Sequence, residues 1–373
     1  MKKIVGILAA SAVLASSVFA ADVAAKVKLT GSLIDYNSNN KGDKTVKMLN
    51  VDRKDKDEVL TIAIDDENVG AKVNFKIWND STVDSGKTDF VKVNDTLIWF
   101  KPIDVLKVSV GNAGLNLSDS FVEGKHVINT DRAPYGVAGD PGYTVEFNNG
   151  TFFVAGGVYG GAYGTAYVGT ESMVRGTRVK AGATIDGIGS FAVLAAGADN
   201  FGTDFIGAEY KAAFLEDNLE VLAEAGVYFK DFKAGDSAKL MGVPALLSAQ
   251  YKMDALKVGL DAYTFFITDS DAKDTFDAPA FLSIYAKASY ALGNLTPYVK
   301  FGAVNLMKGK VSGLSEGDGT WVKANGFDDM LFRIEPGVDG TFGIMGWHTA
   351  AEVTLFNGSD FEINVPVEFS VAF

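Results

Sequence analysis

Few side chains in this sequence are of the kinds that carry out catalysis. The chain has no Cys, which excludes a thiol nucleophile and thiolate metal ligands. Its two His, His126 and His348, lie far apart in sequence, and no His-Glu-x-x-His motif occurs. A glycine-rich stretch over 156–164 lacks the Lys-Ser/Thr ending of a phosphate-binding loop. The sequence therefore predicts a protein that is not an enzyme and that holds no metal and no cofactor.

Charged side chains instead recur at every second position of apolar segments. Arg178 and Lys180 alternate with apolar residues, and Glu220 and Glu224 interrupt a second apolar series in the same way. Successive side chains of a β-strand point to opposite faces, so each such segment has one apolar face and one charged face. Side chains of this kind attract or repel solutes and ions along a wet surface. The strands that carry them must therefore present one face to water and the other to an apolar medium.

The alternation predicts eighteen strands of about ten residues each. The predicted strands are 26–36, 57–65, 70–79, 90–101, 105–114, 142–148, 151–159, 176–185, 189–198, 204–215, 218–230, 244–253, 256–267, 280–291, 294–305, 328–337, 341–350 and 360–373.

Short and long connections alternate along the chain. Tight turns are predicted at residues such as 186–189, 216–218, 292–294 and 336–340, whereas the connections between them are longer and more polar. In an up-and-down barrel every second connection lies on the same rim, so one rim carries short turns and the other long loops. An even strand count returns the last strand to the short-turn rim, and both eighteen and sixteen strands satisfy this condition.

These patterns favour a closed antiparallel up-and-down transmembrane β-barrel, an all-β fold, over a soluble all-β protein. Strands near ten residues match the length that a tilted strand needs to cross a bilayer. The unpaired edges of an open sheet would be costly in lipid, so the sheet must close. The apolar face then points outward, and the charged face lines the lumen. The residues predicted to face the lumen are Lys72, Lys76, Lys107, Glu146, Arg178, Lys180, Glu220, Glu224, Lys257, Asp261 and Arg333.

The start of the chain predicts export. Residues 1–20 combine a basic start, an apolar stretch and small residues before a cleavage point after Ala20, which is typical of a cleaved signal peptide. Residues 21–373 would then form one barrel domain. The formal net charge of −13 argues against binding to nucleic acid, because nucleic-acid backbones are bound through cationic contacts. Trp78, Trp99 and Phe100 lie near predicted strand ends, where aromatic girdles of membrane barrels form.

The last predicted strand, 360–373, carries apolar residues at alternating positions and ends on an aromatic side chain. These residues are Val367, Phe369, Val371 and Phe373. With the signal, the strands and the alternating loops, the whole chain resembles a Gram-negative-type outer-membrane porin. The signal and the stretch 99–104 resemble spirochaete outer-membrane proteins in particular. The resemblance implies that the four residues form the signal recognised by the barrel-assembly machinery. Pro366 departs from the pattern because it removes one ladder donor, and a bulge at the seam would accommodate it.

The resemblance implies a water-filled channel for passive diffusion of small hydrophilic solutes and ions, integral to a bacterial outer membrane. The implied partners are the lipid bilayer and its lipopolysaccharide or an equivalent outer leaflet, and a homotrimer is common in the family. Two alternatives stay open: a structural or adhesive surface barrel, and a substrate-specific channel, for example for sugars. Of the aromatic residues that would support a sugar channel, Tyr228 and Tyr263 fall on the predicted inward face.

The third long connection, 115–141, is the candidate pore constriction, because in porins this loop often folds into the pore. Acidic and basic groups facing each other there would set the charge and width of the passage. The alternative is a loop that lies flat on the rim. The candidate pore-lining residues are Lys72, Lys76, Lys107, Asp119, Glu123, Lys125, Asp131, Arg132, Arg178, Lys180, Glu220, Glu224 and Arg333.

Overall fold

The computed structural model describes residues 22–38, 47–50, 59–77, 91–111, 113–125, 127, 142–160, 174–197, 205–228, 231–232, 238–270, 280–304, 306, 330–356 and 361–372. They form eighteen barrel strands, three of which consist of two pieces. The strands are β1 (Asp22–Asn37), β2 (Lys47–Asn50 and Val59–Asp65), β3 (Val69–Ile77), β4 (Val91–Ile103), β5 (Leu106–Gly111), β6 (Gly142–Asn148), β7 (Phe152–Gly160), β8 (Val174–Ile185), β9 (Gly189–Gly197), β10 (Phe205–Phe214), β11 (Leu219–Tyr228 and Asp231–Phe232), β12 (Ala238–Met253), β13 (Leu256–Ser270), β14 (Ala280–Tyr290), β15 (Leu295–Val304), β16 (Leu331–Phe342), β17 (Met345–Ala350 and Glu352–Leu355) and β18 (Phe361–Ala372).

Each strand pairs antiparallel with its neighbours in sequence, and β1 pairs antiparallel with β18 to close the barrel. The closing register runs from Lys26 opposite Ala372 to Asn37 opposite Glu362. The predicted closed, antiparallel, eighteen-stranded barrel is confirmed. No helix in the described part of the chain is long and apolar enough to span a membrane.

The turn predicted at residues 336–340 is wrong. Pro336 to Gly340 lie inside β16, which continues to Phe342, and the chain turns at Gly343 with a φ of +59°. The turn-like composition has another cause: the Tyr298 ring lies against Gly337 and the Trp347 ring against Gly340, where a Cβ would collide with them. Glycine at these positions makes room for aromatic rings on the neighbouring strands, and this use of glycine cannot be told from a turn signal by composition.

The two faces of the barrel wall differ as the alternation predicts. In β10, Phe205, Gly207 and Glu209 are buried, whereas Ile206 and Ala208 between them are exposed. Apolar side chains on the outer face of other strands are also exposed by 41–52%. Examples are Val110, Val145, Val154, Val179, Val193, Leu247, Leu260, Val299 and Ile334. An outer surface of this kind suits hydrocarbon.

Aromatic side chains mark the outer surface near the short turns. Phe100 has 45% of its surface exposed and lies near the end of β4, as predicted for a girdle residue. Trp99 lies on the opposite, inner face, where the ammonium groups of Lys101 and Lys107 lie 5.5 and 5.0 Å from its ring centroid. Trp78 lies outside the described residues.

A bulge lies at the seam opposite Pro366. Ser32 pairs with Pro366 and Ile34 with Val365, so Leu33 has no partner on β18. The Ser32 hydroxyl bonds locally within the bulge, 2.7 Å from the Ile34 carbonyl oxygen. The extra residue accommodates the position where proline has no N–H to donate, as predicted from Pro366.

Candidate functional site inside the barrel

The chain that follows β5 runs through the interior of the barrel. We call residues 113–125 together with Val127 the inner segment. Its backbone contacts side chains on the inner faces of β8, β10, β11, β12 and β13, which lie three to eight strands away from β5 around the wall. Contacts with so many distant strands place the described part of this connection within the lumen.

Cationic side chains of β8 hold the start of the inner segment. Arg178 donates from Nη1 to the carbonyl oxygen of Leu115 at 3.1 Å and also to the side-chain oxygen of Asn116. Lys180 donates from Nζ to the carbonyl oxygen of Asn116 at 2.8 Å. Both side chains therefore bind backbone or amide oxygens, which carry partial negative charge.

Carboxylates of β10 and β11 hold the backbone further along the inner segment. The amide of Ser118 donates to Glu209 Oε2 at 2.6 Å, and the amide of Val127 donates to Glu224 Oε2 at 2.8 Å. Glu209 and Glu224 are directly opposite each other in the β10–β11 register. Like charges in such positions repel, and the contact of Lys180 with Glu209 at 3.1 Å offsets part of that repulsion.

Asp261 of β13 makes the densest set of contacts with the inner segment. The side chain is fully buried. Its Oδ2 accepts the amide of Glu123 at 2.8 Å, and both oxygens lie 3.3 Å from the amide of Val122. Ser248 of β12 donates its hydroxyl to Asp261 Oδ1 at 2.6 Å and accepts the amide of Phe121 at 2.9 Å. Two side chains therefore satisfy three consecutive backbone donors that face away from water.

The inner segment folds back on itself between Ser120 and Lys125. The Ser120 amide donates to the Lys125 carbonyl oxygen at 2.8 Å, and the Ser120 hydroxyl accepts the Lys125 amide at 3.1 Å. Gly124 occupies the tight position of this turn with a φ of +62°. Asp119 is exposed but partly shielded from water by its neighbours, which raises the pKa of its carboxyl above the ordinary value, and the nearby Lys125 ammonium opposes that shift.

Buried apolar side chains occur both on the inner segment and on the wall that anchors it. Leu117 and Val127 of the inner segment are 3% and 0% exposed. The inner faces of β9 to β13 contribute further buried apolar side chains, namely Leu194, Phe205, Leu222, Leu246, Tyr263 and Phe265. Burial of Leu117 and Val127 stabilises the docked segment by about 1.5–3 kcal/mol for each side chain.

A second set of charges lies on β15 to β17. Glu123 forms an ion pair with Lys300, whose Nζ is also 4.0 Å from Glu335. Arg333 lies 3.5 Å from Glu335 and 2.9 Å from Glu352. The inner segment is thus held by its backbone on one side and by the Glu123 side chain on the other.

The structure brings some of the predicted pore residues together and separates others. Glu123, Arg178, Lys180 and Glu224 take part in the contacts of the inner segment, and Arg333 belongs to the charge network that reaches Glu123 through Glu335 and Lys300.

Other predicted residues lie away from that network. Lys107 contacts Trp99, and Glu220 pairs with Lys252 at 2.7 Å and with Gln250 at 2.6 Å. Lys72 is directly opposite Leu97 and is exposed. The side chain of Lys76, together with Asp131, Arg132 and Phe373, lies outside the described residues.

Sequence reasoning missed Glu209 and Ser248 as anchors. Glu209 alternates with outward-facing residues of β10, so the sequence pattern alone could have placed its side chain on the inner face. Ser248 is a small polar residue with no pattern to distinguish it.

Ser315 stands in a Gly-x-Ser-x-Gly pattern, which marks a nucleophile when it follows a strand and precedes a helix, but it lies outside the described residues. Within the described residues no group of three His, Asp or Glu side chains is placed to hold a metal ion.

The sequence matches no protein-family model and no curated protein. The structure is similar to those of bacterial outer-membrane proteins. It resembles OpdK from Pseudomonas aeruginosa with a TM-score of 0.53 and 9% identity, over 94% of this chain and 99% of that one. It resembles OpdO of Pseudomonas aeruginosa with a TM-score of 0.55 and 9% identity, over 94% and 97% of the two chains. It resembles the outer membrane channel DcaP of Acinetobacter baumannii with a TM-score of 0.50 and 11% identity, over 95% of this chain and 97% of that one. The chain therefore has the fold of the outer-membrane channel barrels.

Proposed function

We propose that the protein is an outer-membrane porin that forms a water-filled channel for passive diffusion of small hydrophilic solutes and ions. The observation that carries the proposal is the inner segment, a stretch of chain anchored by charged side chains inside a closed barrel. A segment in this place would narrow the lumen and line the passage with charge. The apolar outer face and the outward aromatic residues support insertion in lipid. The similarity in fold to OpdK, OpdO and DcaP supports the same role.

The inner segment is proposed to be the constriction of this channel. Asp119 and Lys125, on the exposed and half-buried parts of its turn, together with Glu123 and Lys300, would set the charge near the narrowest point. Export by the signal over 1–20 and recognition of the last strand by the barrel-assembly machinery belong to the same proposal. A structural or adhesive surface barrel is the competing function.

Recording of single channels in planar bilayers tests the proposal. The wild-type protein should give large, stable steps, and a protein lacking residues 116–138 should give larger ones, because the lumen loses its filling. The control is a deletion of the same length, 307–329, in the connection between β15 and β16. It should leave the conductance closer to that of the wild type. Absence of steps from correctly folded wild-type protein would favour the adhesive role, and equal conductance after the first deletion would exclude the constriction.

A further inference from the structure

Two lysines are directly opposite each other on the inner wall near the short turns. Lys252 of β12 pairs with Lys257 of β13 in the antiparallel register. Lys257 is in phase with the inward-facing Asp261 on the same strand, and Lys252 bonds Glu220 of β11 across the inner face. Like charges in directly opposite positions destabilise a sheet, so this pairing lowers the stability of the barrel wall.

A third lysine extends the positive surface. Lys287 of β14 is directly opposite Gly259, two residues from Lys257 along β13, and its Nζ lies 4.2 Å from the centroid of the Tyr298 ring. We call Lys252, Lys257 and Lys287 the lysine cluster. Lys211 of β10 adds a fourth cation on the inner face nearby, 5.9 Å from the Phe121 ring.

One carboxylate of the inner wall is paired with the lysine cluster, whereas Asp254, Glu216 and Asp217 lie in the exposed short turns beside it. In the described part of the chain, Glu220 is the acidic side chain that forms an ion pair with it, at 2.7 Å from Lys252. One oxygen of Glu220 is also shared with Gln250 at 2.6 Å. Lys257 is exposed, and the side chain of Lys252 keeps 46% of its surface accessible. On the inner wall the cluster and Lys211 thus form a solvated surface with four cations and one carboxylate, Glu220.

We propose that the lysine cluster is a binding site for small anions at the short-turn mouth of the channel, and that it gives the channel a preference for anions over cations. The inference rests on the proposed channel function. It runs against the net charge of −13, which by itself suggests a preference for cations. Local charge decides the outcome, because at physiological salt a charge acts over about 8 Å and the charges of distant loops are screened.

The test is the reversal potential of single channels in a tenfold KCl gradient centred on physiological ionic strength, with chloride as the probe. The wild-type channel should prefer chloride. The combined variant Lys252→Gln, Lys257→Gln and Lys287→Gln should lower the chloride-to-potassium permeability ratio about fivefold, which corresponds to about 1 kcal/mol for the three charges together. The same three positions changed to Arg should keep the wild-type ratio.

Lys239→Gln provides the matched control, because Lys239 lies near the opposite end of β12, on the long-loop side. It should leave the ratio unchanged, whereas Lys257→Gln alone should lower it about twofold. A conducting wild-type channel that prefers potassium would overturn the anion site and leave the channel function intact. A combined Gln variant that conducts with the wild-type ratio would do the same. Absence of channels in folded wild-type protein would remove both proposals.

Discussion

The β8 wall and the wall from β10 to β13 bind the same inner segment through side chains of opposite charge. On β8, Arg178 and Lys180 bind oxygens of residues 115–116. On β10, β11 and β13, three carboxylates accept four backbone amides spread from Ser118 to Val127. A peptide carries donors and acceptors at each residue, so walls of either charge can fix it.

The two walls differ in the length of the segment that they bind and in the burial of the side chains that bind it. The cationic wall fixes two neighbouring residues at the entrance of the segment, whereas the acidic wall fixes its middle and its far end. The carboxylates of Asp261 and Glu224 are buried, so an amide that loses one of them has no water to replace it. We therefore expect the acidic wall to dominate the docking of the segment, and the variants below rank the contributions of the two walls.

The largest effect is expected from Asp261→Ala. The amides of Val122 and Glu123 and the hydroxyl of Ser248 lose their acceptor, at about 1–3 kcal/mol for each buried group left unpaired. Hydrogen exchange in detergent micelles should accelerate by about 100-fold for amides of residues 118–125 and should stay slow in the barrel strands. Asp261→Asn, which keeps an acceptor oxygen, should have a smaller effect. Unchanged exchange in the Ala variant would contradict the importance of this anchor.

An intermediate effect is expected from Arg178→Met on the cationic wall. The variant keeps an apolar stem in place of the guanidinium and removes the two bonds to Leu115 and Asn116, each worth about 1–2 kcal/mol. Exchange should rise around residues 113–118, while amides bonded to Asp261 stay protected. If the whole segment were released, the two walls would not act independently, and the proposed ranking would be wrong.

The smallest effect is expected from Glu224→Gln. The Gln side chain still offers an oxygen to the amide of Val127, and the change removes a negative charge opposite Glu209. Thermal unfolding should therefore shift by the equivalent of less than about 0.5 kcal/mol. Glu224→Leu, which has no acceptor, should destabilise docking by about 1–3 kcal/mol. Equal losses in both variants would indicate that the charge, and not the hydrogen bond, matters at this position.

Most of the fold could be predicted because a barrel in lipid obeys one local rule. The eighteen strands follow from alternation, which is imposed on each strand separately by lipid outside and water inside. The prediction failed at residues 336–340, where Gly337 and Gly340 serve rings of neighbouring strands. That function depends on cross-strand register, which a single segment of sequence does not reveal.

The site was less predictable than the fold. Alternation places Glu224 and Asp261 inward, as predicted, but cannot say which inward side chains meet a chain that crosses the lumen. That meeting depends on the tilt and stagger of strands far apart in sequence. Trp99 shows the same difficulty at a strand end. Its place near the end of β4 suggests a girdle residue, but the alternation of the strand directs its side chain to the inner face beside Lys107.

The unpaired Leu33 changes which residues of β1 face the lumen. Before it, even-numbered residues such as Lys28 face the bore, and after it the odd-numbered Asp35 does, in register with Asn364. A regular β1 of the same length, with Leu33 paired in turn and no bulge, would direct Ile34 toward water and Asp35 toward acyl chains. The correct faces of residues 34–37 at the closing seam thus depend on Leu33 staying out of the ladder. A single-residue insertion or deletion elsewhere in this half of β1, with the bulge kept, would reverse the two faces of the strand beyond it.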